Sequence, residues 1–154
     1  MKKILGTVLK ALGLILALLF AGILLLCLAS PIKNNMEAQK VANAIKECVL
    51  PERTELLDTL SAAGKLVGNG NGMQYLGAIL IKSELSLEEL QEYYEKLAFD
   101  EFHNIVEKQE SKNIDFIEHE RLSLNTESDY EHTYIVYSWG NYSGIAAEFD
   151  LRGH

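Results

Sequence analysis

The apolar run from Ala11 to Ala29 (ALGLILALLFAGILLLCLA) constrains this chain more than any other feature. At a rise of about 1.5 Å per residue it reaches ~28 Å, the hydrocarbon thickness of a bilayer. Extending it back to Ile4 adds two turns whose only charge, Lys10, can snorkel its amine to the headgroups. The run predicts a transmembrane anchor over residues 1–30, in contact with the lipid bilayer through residues 4–30. A cleaved secretory signal has a shorter apolar region and small residues before the cut. Cleavage after Ala29 would put Cys27 third from the cut and Pro31 just beyond it. A lipoprotein cut before Cys27 would follow Leu26, which is not small. Length therefore favours an uncleaved signal-anchor.

Orientation rests on lysines. Lys2, Lys3 and Lys10 precede the end of the span, and Lys33, Lys40 and Lys46 follow it closely, so the tally is nearly even. A short basic tail ahead of a first apolar segment favours a cytoplasmic N-terminus, with the C-terminal domain outside the cell membrane. All 22 acidic residues but only 11 of the 14 basic ones lie beyond Ser30, a balance of −11 there. That charge opposes binding to nucleic acid and to anionic headgroups. With Cys27 in the span, Cys48 has no partner for an intramolecular disulfide and reads as a small core residue.

Beyond the anchor, Asn34-Asn35 offers a helix cap, and Val41, Ile45 and Cys48 fall on one helical face. Residues 31–50 thus predict a short juxtamembrane amphipathic helix packed on the domain, and residues 51–154 a single extracytoplasmic α+β domain. Between Glu52 and Leu66 the pattern is ambiguous. Leu56, Leu57, Leu60 and Ala63 fit a helical face, whereas Thr54, Leu56, Asp58 and Leu60 alternate as in a strand. The run Gly68-Asn69-Gly70-Asn71-Gly72 is a hairpin signal, and Met73–Ser83 reads as a buried strand. Its faces are Tyr75, Ile79 and Ile81 on one side, and Leu76, Ala78 and Leu80 on the other. The glycine run precedes a strand and lacks a following Lys-Ser/Thr, which argues against a phosphate loop.

Ser86 and Glu89 form a capping box, and Leu87, Leu90, Tyr94 and Leu97 share a face, so residues 86–97 predict one amphipathic helix lying on a sheet. Further strands are expected over 102–109, 114–124, 133–139 and 143–151. The class is α+β, with an antiparallel sheet of about five or six strands.

The stretch from Pro51 through Gly68-Asn-Gly-Asn-Gly-Met-Gln-Tyr75 and Ile79-Leu-Ile-Lys-Ser83 to Leu85-Ser-Leu-Glu-Glu-Leu-Gln-Glu-Tyr-Tyr94 resembles a group of uncharacterised small membrane-anchored or exported proteins of Gram-positive bacteria. The match covers Pro51 to Val106. It implies a strand over 54–66, a second strand and then the helix, and it carries no catalytic residues.

Chemistry is sparse. No serine sits in a Gly-x-Ser-x-Gly elbow, and Cys48 lies near the anchor. Glu118-His119-Glu120 and Glu131-His132 place carboxylates beside imidazoles, but neighbours on a strand point to opposite faces, so each offers at most one metal ligand. No catalytic, metal or cofactor residue is assigned. The suggestive cluster is aromatic: Tyr134, Tyr137, Trp139 and Tyr142, with Tyr93 and Tyr94 on the helix. Tyr137 and Trp139 share a strand face, and such residues suit a binding face for a peptide or glycan. The leading reading is a non-enzymatic interaction module contacting a protein or cell-wall component. An envelope hydrolase with a dispersed site is the alternative, as is an accessory subunit whose span packs through Gly13, Ala17 and Gly22 against a larger membrane complex.

Overall fold

The computed structural model describes residues 2–68, 72–97, 103–118, 122–126, 130–141 and 144–154, with only the backbone of Lys2, Lys3 and Asn141. Helix α1 (Lys2–Glu47) runs unbroken for 46 residues, with Pro31 inside it. It is the one helix among the described residues long and apolar enough to cross a membrane. Its most apolar window has a mean hydropathy of 3.0, and none of that window is buried. From Ser30 onward the same helix changes character: Ser30, Asn34, Ala38, Val41, Ala42 and Ile45 form a buried stripe at helical spacing. The expected separate juxtamembrane helix is thus the upper part of α1. Asn34-Asn35 does not cap a helix start, because Asn34 commits its amide to the C-terminal segment. Pro31 removes one backbone donor and crowds the carbonyl four residues back, yet α1 continues through it.

Strand β1 (Thr54–Gly64) pairs antiparallel with β2 (Gln74–Ser83), from Thr54 opposite Ser83 to Gly64 opposite Gln74, with a bulge between Leu56 and Asp58. This pairing decides the ambiguous 54–66 stretch in favour of strand. Gly68 and Gly72, at φ of 79° and 137°, serve the connection in a backbone region that side chains disfavour; Asn69 to Asn71 lie outside the described residues. Helix α2 (Leu87–Glu95) follows, and its Ser86/Glu89 capping box is formed. Strand β3 (Ile105–Lys108) and strand β6 (Thr133–Asn141) complete a four-stranded antiparallel sheet of order β1-β2-β6-β3.

Two stretches read as strands fold otherwise. Residues 114–124 do not make one strand: β4 (Asn113–Ile114) and β5 (Leu122–Ser123) form a separate two-stranded sheet. The buried set there is Ile114, Ile117 and Leu124, a spacing that cannot follow the period of two that a strand requires. Residues 143–151 do not return as a strand either. They give helix α3 (Ile145–Phe149) and a 3-10 turn at Leu151–Gly153. Adjacent Ala146 and Ala147 are both buried, as a helix lying on α1 allows and an alternating strand does not. The strand expected over 102–109 is confined to β3, and Phe102 lies outside the described residues.

The four-stranded sheet separates two apolar layers. On one face Tyr75, Ile79, Ile81, Tyr134 and Val136 pack under α1 and α2, against Ala38, Val41, Ile45, Leu90 and Tyr94. On the other, Leu76, Ala78, Leu80, Ile135 and Tyr137 pack under Ile114, Ile117 and Leu124. Gly77 marks the closest approach of α1. A Cβ there would lie 2.6 Å from the Val41 carbonyl carbon.

Candidate binding groove

The face of the sheet away from α1 carries an apolar groove of about 300 Å³, lined by Leu66, Val67, Leu76, Asp115, Phe116, Tyr137 and Trp139. Its floor comes from strand pairing, which sets Leu76 opposite Trp139 while strand parity turns Tyr137 to the same face. Its walls come from two chain segments zipped together past the end of β1. The Val67 N–H donates to the Phe116 carbonyl (3.0 Å) and the Glu118 N–H to the Lys65 carbonyl (2.8 Å). Leu66 and Ile117 form an isolated bridge between these hydrogen bonds, and the Lys65 ammonium meets the Glu118 carboxylate at 2.9 Å. Phe116 lies against Tyr137 with ring centroids 4.6 Å apart, within the range where aromatic pairs attract beyond their buried area.

The Tyr137 hydroxyl donates to Glu107 Oε1 at 3.0 Å. Burial, then the hydrogen bond and negative charge of Glu107, push its pKa well above the ordinary phenol value, so the phenol stays a neutral donor. Trp139 is half-buried, with Asp115 exposed at the rim.

Of the four aromatics read as one binding face, Tyr137 and Trp139 come together. Tyr134 does not join them: it points to the helix-covered face, is buried, and donates to the Leu85 carbonyl at 3.2 Å. Tyr142 lies outside the described residues. On α2, Tyr94 is fully buried beside Tyr93 in an edge-on pair, and the Tyr93 hydroxyl donates to the Val49 carbonyl. Leu66, Val67 and Phe116 escaped the sequence reading because the chain order gives no sign that these segments meet. Parity along β6 was the available signal that separates Tyr134 from Tyr137 and Trp139.

No protein-family model, curated protein or solved structure matches the chain.

Among the described residues the histidines do not converge. His103 and His132 are exposed, and His119 lies outside the described residues. Among the described residues no group of three His, Cys, Asp or Glu side chains is placed to hold a metal. Cys48 is half-buried and donates to the Ala44 carbonyl. Burial and then Glu47 raise its pKa, the opposite of thiolate activation.

A second polar feature, missed from sequence, joins the domain to α1. Asn34, fully buried, donates through Nδ2 to the Ala146 carbonyl (3.1 Å) and to Asp150 Oδ2 (2.8 Å), and accepts from the Tyr75 hydroxyl (2.7 Å). Arg152 chelates Asp150 through Nε (3.0 Å) and Nη2 (2.7 Å) and reaches Asn35 Oδ1 and the Pro31 carbonyl. Burial pushes the Asp150 carboxyl up. Arg152 and Asn34 outweigh it, so the pKa settles below the ordinary carboxylate value.

Proposed function

We propose that the protein is a single-pass membrane-anchored binding module whose domain lies outside the cytoplasmic membrane and holds a protein or cell-wall component in the groove beneath Trp139. The groove carries this reading. Binding sites are typically concave and mostly apolar with a few placed polar groups, and this one combines Tyr137, Trp139 and Phe116 with a single rim carboxylate, Asp115. The long helix that carries the domain bears an apolar stretch of membrane-spanning length, which supports attachment to a bilayer. The basic residues ahead of that stretch support a cytoplasmic N-terminus.

A photocrosslinker attached at Asp115→Cys, in a Cys27→Ala/Cys48→Ala background of the full chain in intact membranes, tests the groove. A discrete adduct is expected from position 115, absent when the same label sits at Glu88→Cys on α2. The adduct should disappear on adding Trp139→Ala. An adduct pattern indifferent to Trp139 sinks the proposal. Protease added to intact cells should release the domain, and full protection would reverse the orientation.

A further inference from the structure

One end of the domain gathers side chains that the fold leaves bare. Among the described residues of 51–154, the large apolar side chains more than half exposed are Val67 (59%), Ile145 (68%) and Leu151 (81%). Single exposed apolar residues are ordinary on protein surfaces. These three belong to segments bound to one another, two of which lie against residues 26–33 of α1. A hollow of about 360 Å³ is lined by Leu26, Ala29, Ser30, Lys33, Ile145 and Ala146, which sets the start of α3 beside the end of the apolar run. Arg152, next to Leu151, donates to the Pro31 carbonyl. The Lys65 N–H donates to the Arg152 carbonyl (3.0 Å) and the Gly72 N–H to the Gly153 carbonyl (2.7 Å). The β1–β2 connection, with Val67 in it, is thereby brought to the same end.

That level coincides with where a bilayer would stop. With Ala29 at the hydrocarbon boundary, a rise of 1.5 Å per residue puts Leu26 and Lys33 within about 6 Å of it on either side. Lys33 is exposed there, at the depth of the headgroup phosphates. The domain's negative charge opposes approach to anionic lipid. Insertion therefore rests on apolar burial, helped by a tether that makes the contact intramolecular.

We propose that this end of the domain seats on the bilayer, with Val67, Ile145 and Leu151 inserted into the interfacial zone of the adjoining leaflet; this rests on the membrane-anchor reading above. The seat holds the domain in one orientation. Because Val67 also lines the groove, this seat would set one wall of the groove at the membrane surface.

The test uses the full chain with Cys27→Ala and Cys48→Ala in phosphatidylcholine vesicles, carrying an environment-sensitive fluorophore at Val67→Cys, Ile145→Cys or Leu151→Cys. Val49→Cys is the control: it is 77% exposed but lies beyond the far end of α1, which at 1.5 Å per residue is some 25 Å or more from Ala29. Labels at 67, 145 and 151 should shift to the blue and lose intensity with lipids bearing a nitroxide near the headgroup, and the label at 49 should do neither. If those three behave like position 49 while a label at Leu16→Cys is quenched by a deep nitroxide, the anchor stands and the seat is refuted. An unquenched Leu16 label refutes the anchor and the seat with it. A blue shift without lipid quenching that grows with protein density assigns the surface to a second copy and overturns the proposal. Each labelled position is exposed, so the fold is not at stake.

Discussion

The side chain of Asn34, in the upper part of α1, donates a 2.8 Å hydrogen bond to the carboxylate of Asp150 in the C-terminal segment. The sheet joins the same group, because the Tyr75 hydroxyl donates to Asn34 Oδ1 at 2.7 Å. One buried amide therefore ties helix, sheet and C-terminal segment together. Both of its N–H donors are used, and a satisfied buried polar group specifies one arrangement where an apolar contact would allow sliding. For a domain carried on a single long helix, this fixes the height at which the sheet sits.

Replacing that amide should be far more damaging than replacing a surface ion pair of similar geometry. Asn34→Ala removes three buried hydrogen bonds and should lower stability by about 1–3 kcal/mol. Glu37→Gln breaks the exposed Lys40–Glu37 pair on the same helix and should change it by about 0.5 kcal/mol or less. Denaturant titration in detergent micelles, followed through the single tryptophan, compares the two. Equal losses would show that the Asn34 network contributes no more than a surface pair.

Acid should loosen the same junction. Burial raises the Asp150 pKa, but Arg152 and Asn34 lower it further, leaving a net depression. The unfolded chain restores the ordinary value near 3.9. A carboxyl with a depressed folded pKa stabilises the fold fully above the unfolded value and loses that contribution as pH falls through the folded one. The thermal midpoint should therefore drop below about pH 4, and Asp150→Asn should reduce that drop while lowering the midpoint at neutral pH. An unchanged acid slope in Asp150→Asn would assign the effect to other carboxylates.

Local signals were legible and distant ones were not. The Ser86/Glu89 capping box forms as read, because all its atoms lie within one turn. The two faces of β2 follow directly from parity. Periodicity over residues 54–66 slightly favours a helix, the hairpin signal and the resemblance point to a strand, and pairing with β2, a tertiary fact, makes them one. Ile145-Ala-Ala-Glu-Phe149 is compatible with a strand in isolation, and its burial against α1 selects a helix. Asn34 looked like a cap because its partners, Ala146 and Asp150, stand 112 and 116 positions away. The groove suffers from the same distance: its lining comes from segments near positions 66, 76, 116 and 138, and no short motif could join them.

Close approach of α1 to the sheet makes Gly77 intolerant. In an open strand Gly→Ala is favourable by about 0.5–1 kcal/mol. Here a Cβ would stand 2.6 Å from the Val41 carbonyl carbon and 2.7 Å from Ala42 Cα, both helix backbone atoms. Backbone cannot rotate aside, so the helix must lift off the sheet. Gly77→Ala should lose about 1–3 kcal/mol, as overpacked cores do. Gly13→Ala, inside α1, meets nothing within 4 Å and should cause no loss in the same denaturation experiment, because alanine is the better helix former. A neutral Gly77→Ala would mean that α1 does not rest on the sheet at this point.

Within the groove, Tyr137 and Trp139 should separate stability from binding. The Tyr137 hydroxyl is engaged with Glu107, so Tyr137→Phe should lose about 0.5–1.5 kcal/mol. It should leave the crosslink at position 115 intact. Trp139 presents a half-buried ring beside Asp115 in the groove lining. Truncating it removes contact area that a ligand would otherwise cover, while the core beneath, Leu76 and Ile135, stays packed. Trp139→Ala should therefore keep a cooperative unfolding transition and lose the crosslink. If Tyr137→Phe abolishes the crosslink as completely as Trp139→Ala, the phenol itself faces the ligand and its bond to Glu107 must break on binding.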